Sequence, residues 1–472
     1  MPTTTNLPEI GADLESFSIT LEVPGPDPTT LEGGTGSVRL NSGPINYPET
    51  LIDTQFTLDD TDAGTFVCRV SELNWGFDTS VSAETMLHRL AVVKTIRPMQ
   101  ADMDAGMNSI LDLVGMVSQG LPATSTTFPG WNGPLWDYLK LFCAVHNYEM
   151  IPHATGPSSV VFRGIRSSTF GDYLADKTFT LNNQTQAQNV EVTDYGYGVM
   201  SGSNIELTPA LSPDAQVLSV SPGETAEFEI RVDGWVATVN QPAVLDFVGS
   251  GERTDGGAYC VAGSDGLPIT AAQWTATGGS VKVQLTEDPS VIKVIVNSSA
   301  HFSLKGPNGE DRFAPYSIAA TSGDGTLYNS LHITGTGVRH NKKTVRIPTG
   351  VSEGEELGAT VDNPWVTGVD KTYTIGSRAA QAYAGPSYTM SLETAPRSAL
   401  RSVVGSRFDG KEVKFRITNV TFSESSLTAS GSMDTSISDF NSSASGMTFS
   451  QWATAVGAIT FNKWSVTPLK VS

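Results

Sequence analysis

The stretch Leu135-Trp-Asp-Tyr-Leu-Lys-Leu-Phe-Cys-Ala-Val-His-Asn-Tyr-Glu-Met-Ile151, followed by Val160-Val-Phe-Arg163, predicts a helix that leads directly into a hairpin. We expect the helix to run from Pro134 to about His146, because a proline fits the first turn, where its missing N–H costs nothing. Asn132 or Gly133 can cap it. The apolar side chains that share one face, and that we expect to be buried, are Leu135, Leu139, Phe142 and Cys143. Two strands alone are marginal in water, so the hairpin needs the helix, and the three elements form a compact αββ unit.

Around this unit, most of the chain alternates in short strands separated by Gly, Pro, Asn, Asp and Ser. Phe17–Val23 and Thr65–Val70 are clear examples. Between residues 217 and 300, alternation within Val220–Val232 and two later strands suggests an immunoglobulin-like sandwich, although the Cys…Trp…Cys spacing is absent. Strands return after residue 410. The fold class that follows is mainly β with a few helices.

Two further helices are predicted. The apolar residues between Ala101 and about Gln119 fall on a single stripe, with Gly120 closing the helix. A second segment, from Thr372 to about Tyr383, is also expected to be helical.

Length, charge and cysteine content exclude several classes of protein. The 472 residues are too many for one core, so two to four domains are expected. Acids outnumber bases by 49 to 29, which argues against specific nucleic-acid binding. We find no run of about 18 apolar residues and no secretory signal, so we expect no membrane span and folding in a cytoplasm. Cys68, Cys143 and Cys260 are isolated, which gives neither a disulfide framework nor a zinc ribbon.

The sequence offers no catalytic residue, no cofactor motif and no metal site, and we expect a protein that is not an enzyme. The six histidines lack the H-E-x-x-H spacing, and His146 is expected to satisfy a helix end. Leu331–Gly337 contains Gly-x-Gly without a third glycine. Asp59–Gly64 fits a calcium loop poorly and a turn between two strands well.

One basic cluster interrupts the acidic trend in Arg339-His-Asn-Lys-Lys-Thr-Val-Arg346. It either faces an acidic neighbouring subunit, since such complementarity steers assembly, or it is a hairpin tip at Asn341–Lys343. The basic residues that the first interpretation places at an interface are Arg339, Lys342, Lys343 and Arg346.

Aromatic residues supply the other candidate interface. Thr448-Phe-Ser-Gln-Trp452 recurs as Thr460-Phe-Asn-Lys-Trp464 at a period of 12. Aromatic side chains in a low-charge tail are expected to pack on a neighbour. We expect Trp131, Trp365, Trp452 and Trp464 to be exposed. The aromatic interface candidates are Trp365, Phe449, Trp452, Phe461 and Trp464. Such rings either stack on sugar faces or anchor protein contacts.

Three stretches make the chain resemble the baseplate hub and tail-tip minor tail proteins of long-tailed bacteriophages, especially siphophages of actinobacteria. The αββ unit looks like the hub element in which a helix precedes a hairpin. Val361-Asp-Asn-Pro-Trp-Val-Thr367, the helix after it and the strands that follow are similar to the second hub β-domain. The aromatic repeats resemble the C-terminus of actinophage minor tail proteins.

The resemblance implies two hub-type β-barrel domains with an αββ element between them, an inserted sandwich and an aromatic C-terminal tail. The domains would be residues 1–98 (N-terminal hub β-domain), 99–204 (helical and αββ element), 205–305 (inserted immunoglobulin-like sandwich), 306–440 (second hub β-domain) and 441–472 (tail). It also implies a virion location after assembly in the host cytoplasm.

The implied function is that of a trimeric ring that closes the tail tube and anchors further tip proteins for host attachment and DNA delivery. The implied partners are two further copies, the distal tail protein, the tape measure protein and other tail-tip proteins. A host cell-surface glycan is a further candidate partner. The alternatives are a receptor- or carbohydrate-binding tail protein and, third, a glycan hydrolase. No lysozyme or peptidase module is recognisable, which departs from hubs that cut cell wall.

Overall fold

The computed structural model describes the following segments of the chain. These are residues 4–7, 10, 14–22, 36–46, 48–60, 64–152, 158–164, 171–172, 177–182, 187–197, 205–206, 218–220, 225–232, 234–239, 244–245, 260–262, 280–297, 302–305, 331–332, 334–351, 358–383, 387–392, 403–408, 411–423 and 427–433. The predicted aromatic tail, 441–472, lies outside them.

The described residues up to 164 form thirteen strands, two α-helices and three short 3-10 turns. In chain order the elements are β1 (Thr4–Thr5), β2 (Leu14–Glu22), β3 (Ser37–Ser42), β4 (Gln55–Asp60), β5 (Gly64–Asn74), β6 (Thr79–Thr85), β7 (Val93–Ile96), β8 (Met99–Asp102), α1 (Met103–Leu111), β9 (Val117–Gln119), β10 (Ser125–Phe128), β11 (Trp131–Pro134), α2 (Leu135–His146), β12 (Tyr148–Pro152) and β13 (Ser159–Gly164). Short 3-10 turns lie at Pro48–Thr50, Met86–Leu90 and Asp112–Val114.

The rest of the described chain is mostly strand. Its elements are β14 (Gly171–Asp172), β15 (Lys177–Asn182), β16 (Asn189–Asp194), β17 (Ile205–Glu206), β18 (Leu218–Val220), β19 (Thr225–Arg231), β20 (Gly234–Val239), β21 (Val244–Leu245), β22 (Cys260–Ala262), β23 (Ser280–Leu285), β24 (Val291–Asn297), β25 (Phe302–Lys305), β26 (Leu331–His332), β27 (Thr334–Arg339), β28 (Lys343–Pro348), β29 (Ala359–Val361), α3 (Val369–Tyr383), β30 (Ser387–Leu392), β31 (Val403–Phe408), β32 (Lys411–Ser423) and β33 (Leu427–Met433).

A 12-stranded sheet joins the two ends of the described chain. Its main path is β1-β4-β5-β6-β3-β2-β32-β33-β30-β15, with β31 paired to β32 and β14 paired to β31. The join is the antiparallel pair β2–β32, in which Ser18 lies opposite Ser423 and Glu22 opposite Asn419. In β2 the alternation of the sequence becomes alternation of burial, with Phe17, Ile19 and Leu21 buried. Strands near both ends of the described chain therefore share one sheet, and the predicted division between residues 1–98 and 306–440 stays a prediction.

The αββ unit is confirmed. The hairpin β12–β13 pairs Tyr148 with Gly164 and Pro152 with Val160. Asn147 ends α2 in the left-handed conformation, with φ at 60°, so the chain turns at once into β12. The sequence did not reveal the third strand, because β9 pairs with β13 in parallel from a segment that was predicted to be helical.

The helix α2 is buried on nearly every side rather than along one stripe. Ten of its twelve residues are buried, including Trp136, Tyr138 and Lys140. On one side the indole N–H of Trp136 donates to Glu22 Oε2 of the large sheet at 2.9 Å, and burial raises the pKa of Glu22. Lys140, only 4% exposed, lies 3.2 Å from Asp137 Oδ1 one turn earlier. Trp136 and Lys140 are thus paired inside this core, which offsets the cost of burying their polar atoms.

The prediction of a helix from Ala101 to about Gln119 is correct in its first half and wrong in its second half. The α-helix ends at Leu111, a 3-10 turn follows, and Gly115 breaks it with φ at 71° while its N–H bonds Asp112 O at 3.0 Å. Val117–Gln119 then extends along β13. The apolar stripe continued past the helix because a strand that enters the same core also needs apolar residues.

The third predicted helix is confirmed and begins three residues earlier, at Val369. Between residues 205 and 305 the described strands form small sheets, among them β19-β24-β23 and β18-β25-β22. This region is therefore β, and its immunoglobulin-like arrangement stays a prediction.

Candidate functional site

The basic cluster does not form a hairpin tip, so that interpretation is wrong. β27 pairs with β17 and β20, whereas β28 pairs with β16 in a different sheet. Residues 340–342 therefore link two sheets. Local sequence does not specify which partner a strand takes.

The four candidate basic residues have different surroundings. Arg346 Nε donates to Glu191 Oε1 at 2.6 Å, directly across the pair β28–β16. The ammonium of Lys342 lies 4.5 Å from the ring centre of Tyr195, a cation–π contact. Arg339 and Lys343 are exposed. Lys342 therefore lies against a group of aromatic rings. The interface role of the four basic residues stays a prediction.

Those rings, which we call the aromatic cluster, are Tyr195, Tyr197, Trp235 and His340. Tyr195 stacks on Trp235 with ring centres 5.6 Å apart and planes at 16°. His340 meets Trp235 edge-on at 4.1 Å. The rings come from three places in the chain, the segment after β16, the start of β20 and the link after β27. Their packing holds these elements together.

The tyrosine hydroxyls bind the segment before α3. Tyr195 donates to Asp362 Oδ1 at 2.8 Å, and Tyr197 donates to the carbonyl oxygen of Pro364. Burial raises the pKa of both phenols well above the usual value, so both remain protonated donors at neutral pH.

A cleft of about 380 Å³ opens beside the aromatic cluster. Its aromatic lining is Trp131, Tyr195, Trp235 and His340. Its polar lining includes Asn132, Arg231, Asp288 and Lys342. We refer to this space below as the cleft.

One wall of the cleft is held by hydrogen bonds from residues on and just after β7. Arg97 donates through Nη1 to Val236 O at 3.2 Å and through Nη2 to Thr286 O. Thr95 Oγ1 donates to Glu287 O at 2.5 Å. Burial lowers the pKa of Arg97, and the nearby Asp288 carboxylate opposes that effect. These backbone contacts position β20 and the turn before β24 relative to β7.

Trp365 was expected to be exposed, and this expectation is wrong. The residue is 2% exposed, with its ring centre 5.0 Å from Phe142 and 5.1 Å from Tyr138. Asn363 fixes it there, because Asn363 Oδ1 accepts from Trp365 N at 2.9 Å while Nδ2 donates to Leu141 O at 3.0 Å. Trp131 is partly buried and donates its indole N–H to Pro134 O at 2.9 Å.

His146 packs as an aromatic ring rather than serving a helix end. Its ring stacks on Phe142 at 4.6 Å and meets Trp365 edge-on at 5.5 Å. Burial, with a smaller contribution from Lys371, lowers its pKa to about 3. Its Nε2 atom has no hydrogen-bond partner in the described part of the chain.

The remaining sequence candidates divide between described and undescribed residues. Phe449, Trp452, Phe461 and Trp464 lie outside the described residues. Asp59 and Asp60 end β4, which pairs antiparallel with β5 so that Asp60 lies opposite Gly64. Residues 61–63 lie outside the described residues, and the turn stays a prediction. Burial raises the pKa of the Cys68 thiol to about 12.

Within the described segments, no group of three or more His, Cys, Asp or Glu side chains could hold a metal ion. The helices of those same segments include none that is both long and apolar enough to span a bilayer.

No protein-family model matches the chain, and no curated protein matches it. Solved structures do. The prophage tail protein gp18 of Listeria monocytogenes EGD-e is 8% identical, with 88% of this chain and 87% of that chain covered and a TM-score of 0.36. The 43 kDa tail protein of prophage MuSo2 from Shewanella oneidensis is 10% identical, with 89% and 92% covered and a TM-score of 0.33. A chain of the phage P2 baseplate in its activated conformation with Ca is 8% identical, with 86% and 84% covered and a TM-score of 0.24.

These structural neighbours are phage tail and baseplate proteins, the class that the sequence resemblance names. Their identities and TM-scores are low, so the proposals that follow rest on the geometry of this chain.

Proposed function

We propose that this chain is a structural component of a phage tail tip, a baseplate hub or minor tail protein, and not an enzyme. The observation that carries the proposal is that the stretches that resemble hub elements, about 200 residues apart in the chain, pack into one core. A protein that is one part of a tube-closing ring needs such a rigid body.

The contacts between the two stretches are specific. Asn363 reaches the backbone of α2 at Leu141. Arg378 of α3 donates to Ala144 O and to Asn147 Oδ1, both at 3.1 Å, where α2 ends. Both are polar contacts to backbone or cap groups, so they fix the position of α3 against α2 in a way that apolar packing alone does not.

The finer architecture belongs to the same proposal. Three copies form a ring that closes the tail tube, with two hub-type β-domains per copy, and the immunoglobulin-like insert lies on its outside. The distal tail protein, the tape measure protein and other tip proteins are the proposed neighbours. The C-terminal aromatic residues and the exposed Arg339 and Lys343 are proposed contact points. Assembly takes place in the host cytoplasm, and the mature protein resides in the virion.

Oligomeric state tests this proposal. Light scattering during size-exclusion chromatography, followed by negative-stain imaging, is expected to show threefold rings, alone or with the distal tail protein. Lys343→Glu is expected to shift the ring towards smaller species, whereas Lys94→Glu, at an exposed position of β7, serves as the matched control. Monomers that persist at high concentration with and without the partner would contradict the ring.

A further inference from the structure

The cleft combines fixed aromatic rings with a charged rim, and we propose that it binds a saccharide that carries an acidic group. This inference goes beyond the structural role, and it is independent of assembly because the described residues of a single chain form the cleft.

Size and composition fit a small ligand. A volume of about 380 Å³ lies within the range of about 300–1,000 Å³ that is typical of small-molecule sites. Such sites are lined mainly by apolar and aromatic groups, with a few polar groups that fix orientation. One or two sugar rings fit this description, since each has an apolar C–H face and a hydroxyl edge.

The aromatic rings are held in place before any ligand arrives. The indole of Trp131 is oriented by its bond to Pro134 O at 2.9 Å. Trp235 is held by Tyr195 on one face and His340 at an edge, and it packs so closely on Gly130 that a Cβ there would lie 2.4 Å from its Cγ. Rings that need no reordering lose little entropy on binding, which favours affinity.

The rim favours an acidic substituent. Among the described lining residues, Arg231 and Lys342 are cationic and Asp288 is the one carboxylate, so the cleft is locally positive in a chain with a net charge of −20. The Arg231 side chain is 71% exposed and only loosely paired, at 3.9 Å, with Asp288 Oδ2, so its other guanidinium N–H groups can meet a carboxylate or phosphate. The ammonium of Lys342 already occupies a cation position near Tyr195, which argues against a cationic ligand.

The same geometry argues for binding without cleavage. Asp288 Oδ1 accepts from Ser290 N at 2.8 Å and from Ser290 Oγ at 2.7 Å, and Oδ2 lies 3.9 Å from Arg231 Nη2. Glycosidases generally use two carboxyl groups across the scissile bond. The described lining supplies one, and its first oxygen is engaged in holding the turn.

Titration calorimetry and saturation-transfer NMR on the full chain test the proposal. The probes are a hyaluronan tetrasaccharide and trigalacturonate, which are acidic, chitotetraose, which is neutral, and inorganic phosphate. We expect an acidic oligosaccharide to bind more tightly than chitotetraose and phosphate, with an affinity that falls as salt is raised.

Four variants localise the binding. Trp131→Ala is expected to weaken it roughly tenfold and Lys342→Ala several-fold, since aromatic and charge contacts are each worth on the order of 1 kcal/mol. Trp75→Ala, an indole that is 63% exposed elsewhere, and Lys282→Ala, an exposed cation on β23, are the matched controls and should leave the affinity unchanged. Unchanged melting temperatures show that the variants fold.

Three results would overturn the proposal. They are the absence of binding by all the oligosaccharides at millimolar concentration, phosphate binding as tight as that of the sugars, and equal affinity of Trp131→Ala and the unmodified chain.

Discussion

The core around α2 and the cleft both contain clustered aromatic rings, and they differ in what satisfies the polar atoms around those rings. In the core, Trp365 is 2% exposed and Asn363 bonds only to backbone groups of the protein. At the cleft, Trp131 is partly exposed and charged side chains stand at the rim. Aromatic content alone therefore does not distinguish a core from a binding surface. The two differ in their polar groups, which bond within the protein in a core and face solvent at a binding surface.

The largest effect is expected in the core. Trp365→Ala removes a ring that contacts Phe142, Tyr138 and Phe128, so it should lower the free energy of unfolding by about 3–5 kcal/mol. Denaturant unfolding measures the loss. Trp75→Ala removes the same group at 63% exposure and should cost less than about 0.5 kcal/mol. Equal costs at the two sites would mean that Trp365 is not in the core.

A smaller effect is expected where the cleft is fastened to the rest of the molecule. Arg97→Ala leaves the carbonyl groups of Val236 and Thr286 without their donor and should cost about 1.5–3 kcal/mol. Hydrogen exchange should speed up at β20 and at Thr286–Ser290 while α2 stays protected. Lys94→Ala, an exposed cation on the strand that ends just before Arg97, is the control. Protection that is unchanged at β20 would show that Arg97 does not hold this wall.

The third prediction concerns the pH dependence of stability, which we expect to depend on His146 in the core around α2. The pKa of His146 is about 3 in the fold against an ordinary value of 6.5, so its neutral form favours folding. The contribution is complete above about pH 6.5 and is lost as pH falls towards 3, at no more than about 1.4 kcal/mol per pH unit.

His146→Phe keeps a ring against Phe142 and removes the titration. Its stability should therefore fall less steeply between pH 6.5 and 4 than that of the unmodified chain, as followed by urea unfolding at several pH values. Parallel pH profiles for the two proteins would show that His146 is not the group that titrates.

The smallest effect belongs to the rim of the cleft. Lys342→Ala removes an exposed cation–π contact with Tyr195 and should cost about 0.5–1 kcal/mol. Lys343→Ala, next in the chain and also exposed, is expected to cost less than that. Thermal unfolding of both variants at low and high salt measures the difference. A cost above about 3 kcal/mol would place Lys342 in the core rather than at a rim.

Some elements could be predicted from the sequence because their causes are local. The proline at the start of α2, its apolar spacing and the short segments after it define the αββ unit within about 30 residues. The third helix has the same local origin. The predictions failed where contacts with a distant part of the chain determine the local structure. Val117–Gln119 continues an apolar stripe but extends beside β13, and residues 340–342 look like a hairpin tip but link two sheets.

The candidate site was harder to predict than the fold. The sequence pointed to Lys342 and Trp131 separately, but it missed Tyr195, Tyr197 and Trp235, and it gave His340 no role. The only available signal was a pair of tyrosines just after an alternating strand, which is weak. These residues meet through pairings such as β20–β27 and through the hydroxyl bonds to residues 362–364, and single-sequence periodicity does not encode such long-range contacts.

By itself the sequence determined a mainly β chain with a net charge of −20, a helix that leads into a hairpin, and a likeness to phage tail-tip proteins. These follow from local propensity, periodicity and composition, which each stretch carries on its own. Only the tertiary structure decided that Trp365 is buried, that β2 pairs with β32, and that four aromatic rings meet beside a cleft. Burial and pairing depend on which distant surface covers a residue, and that surface exists only when the chain is folded.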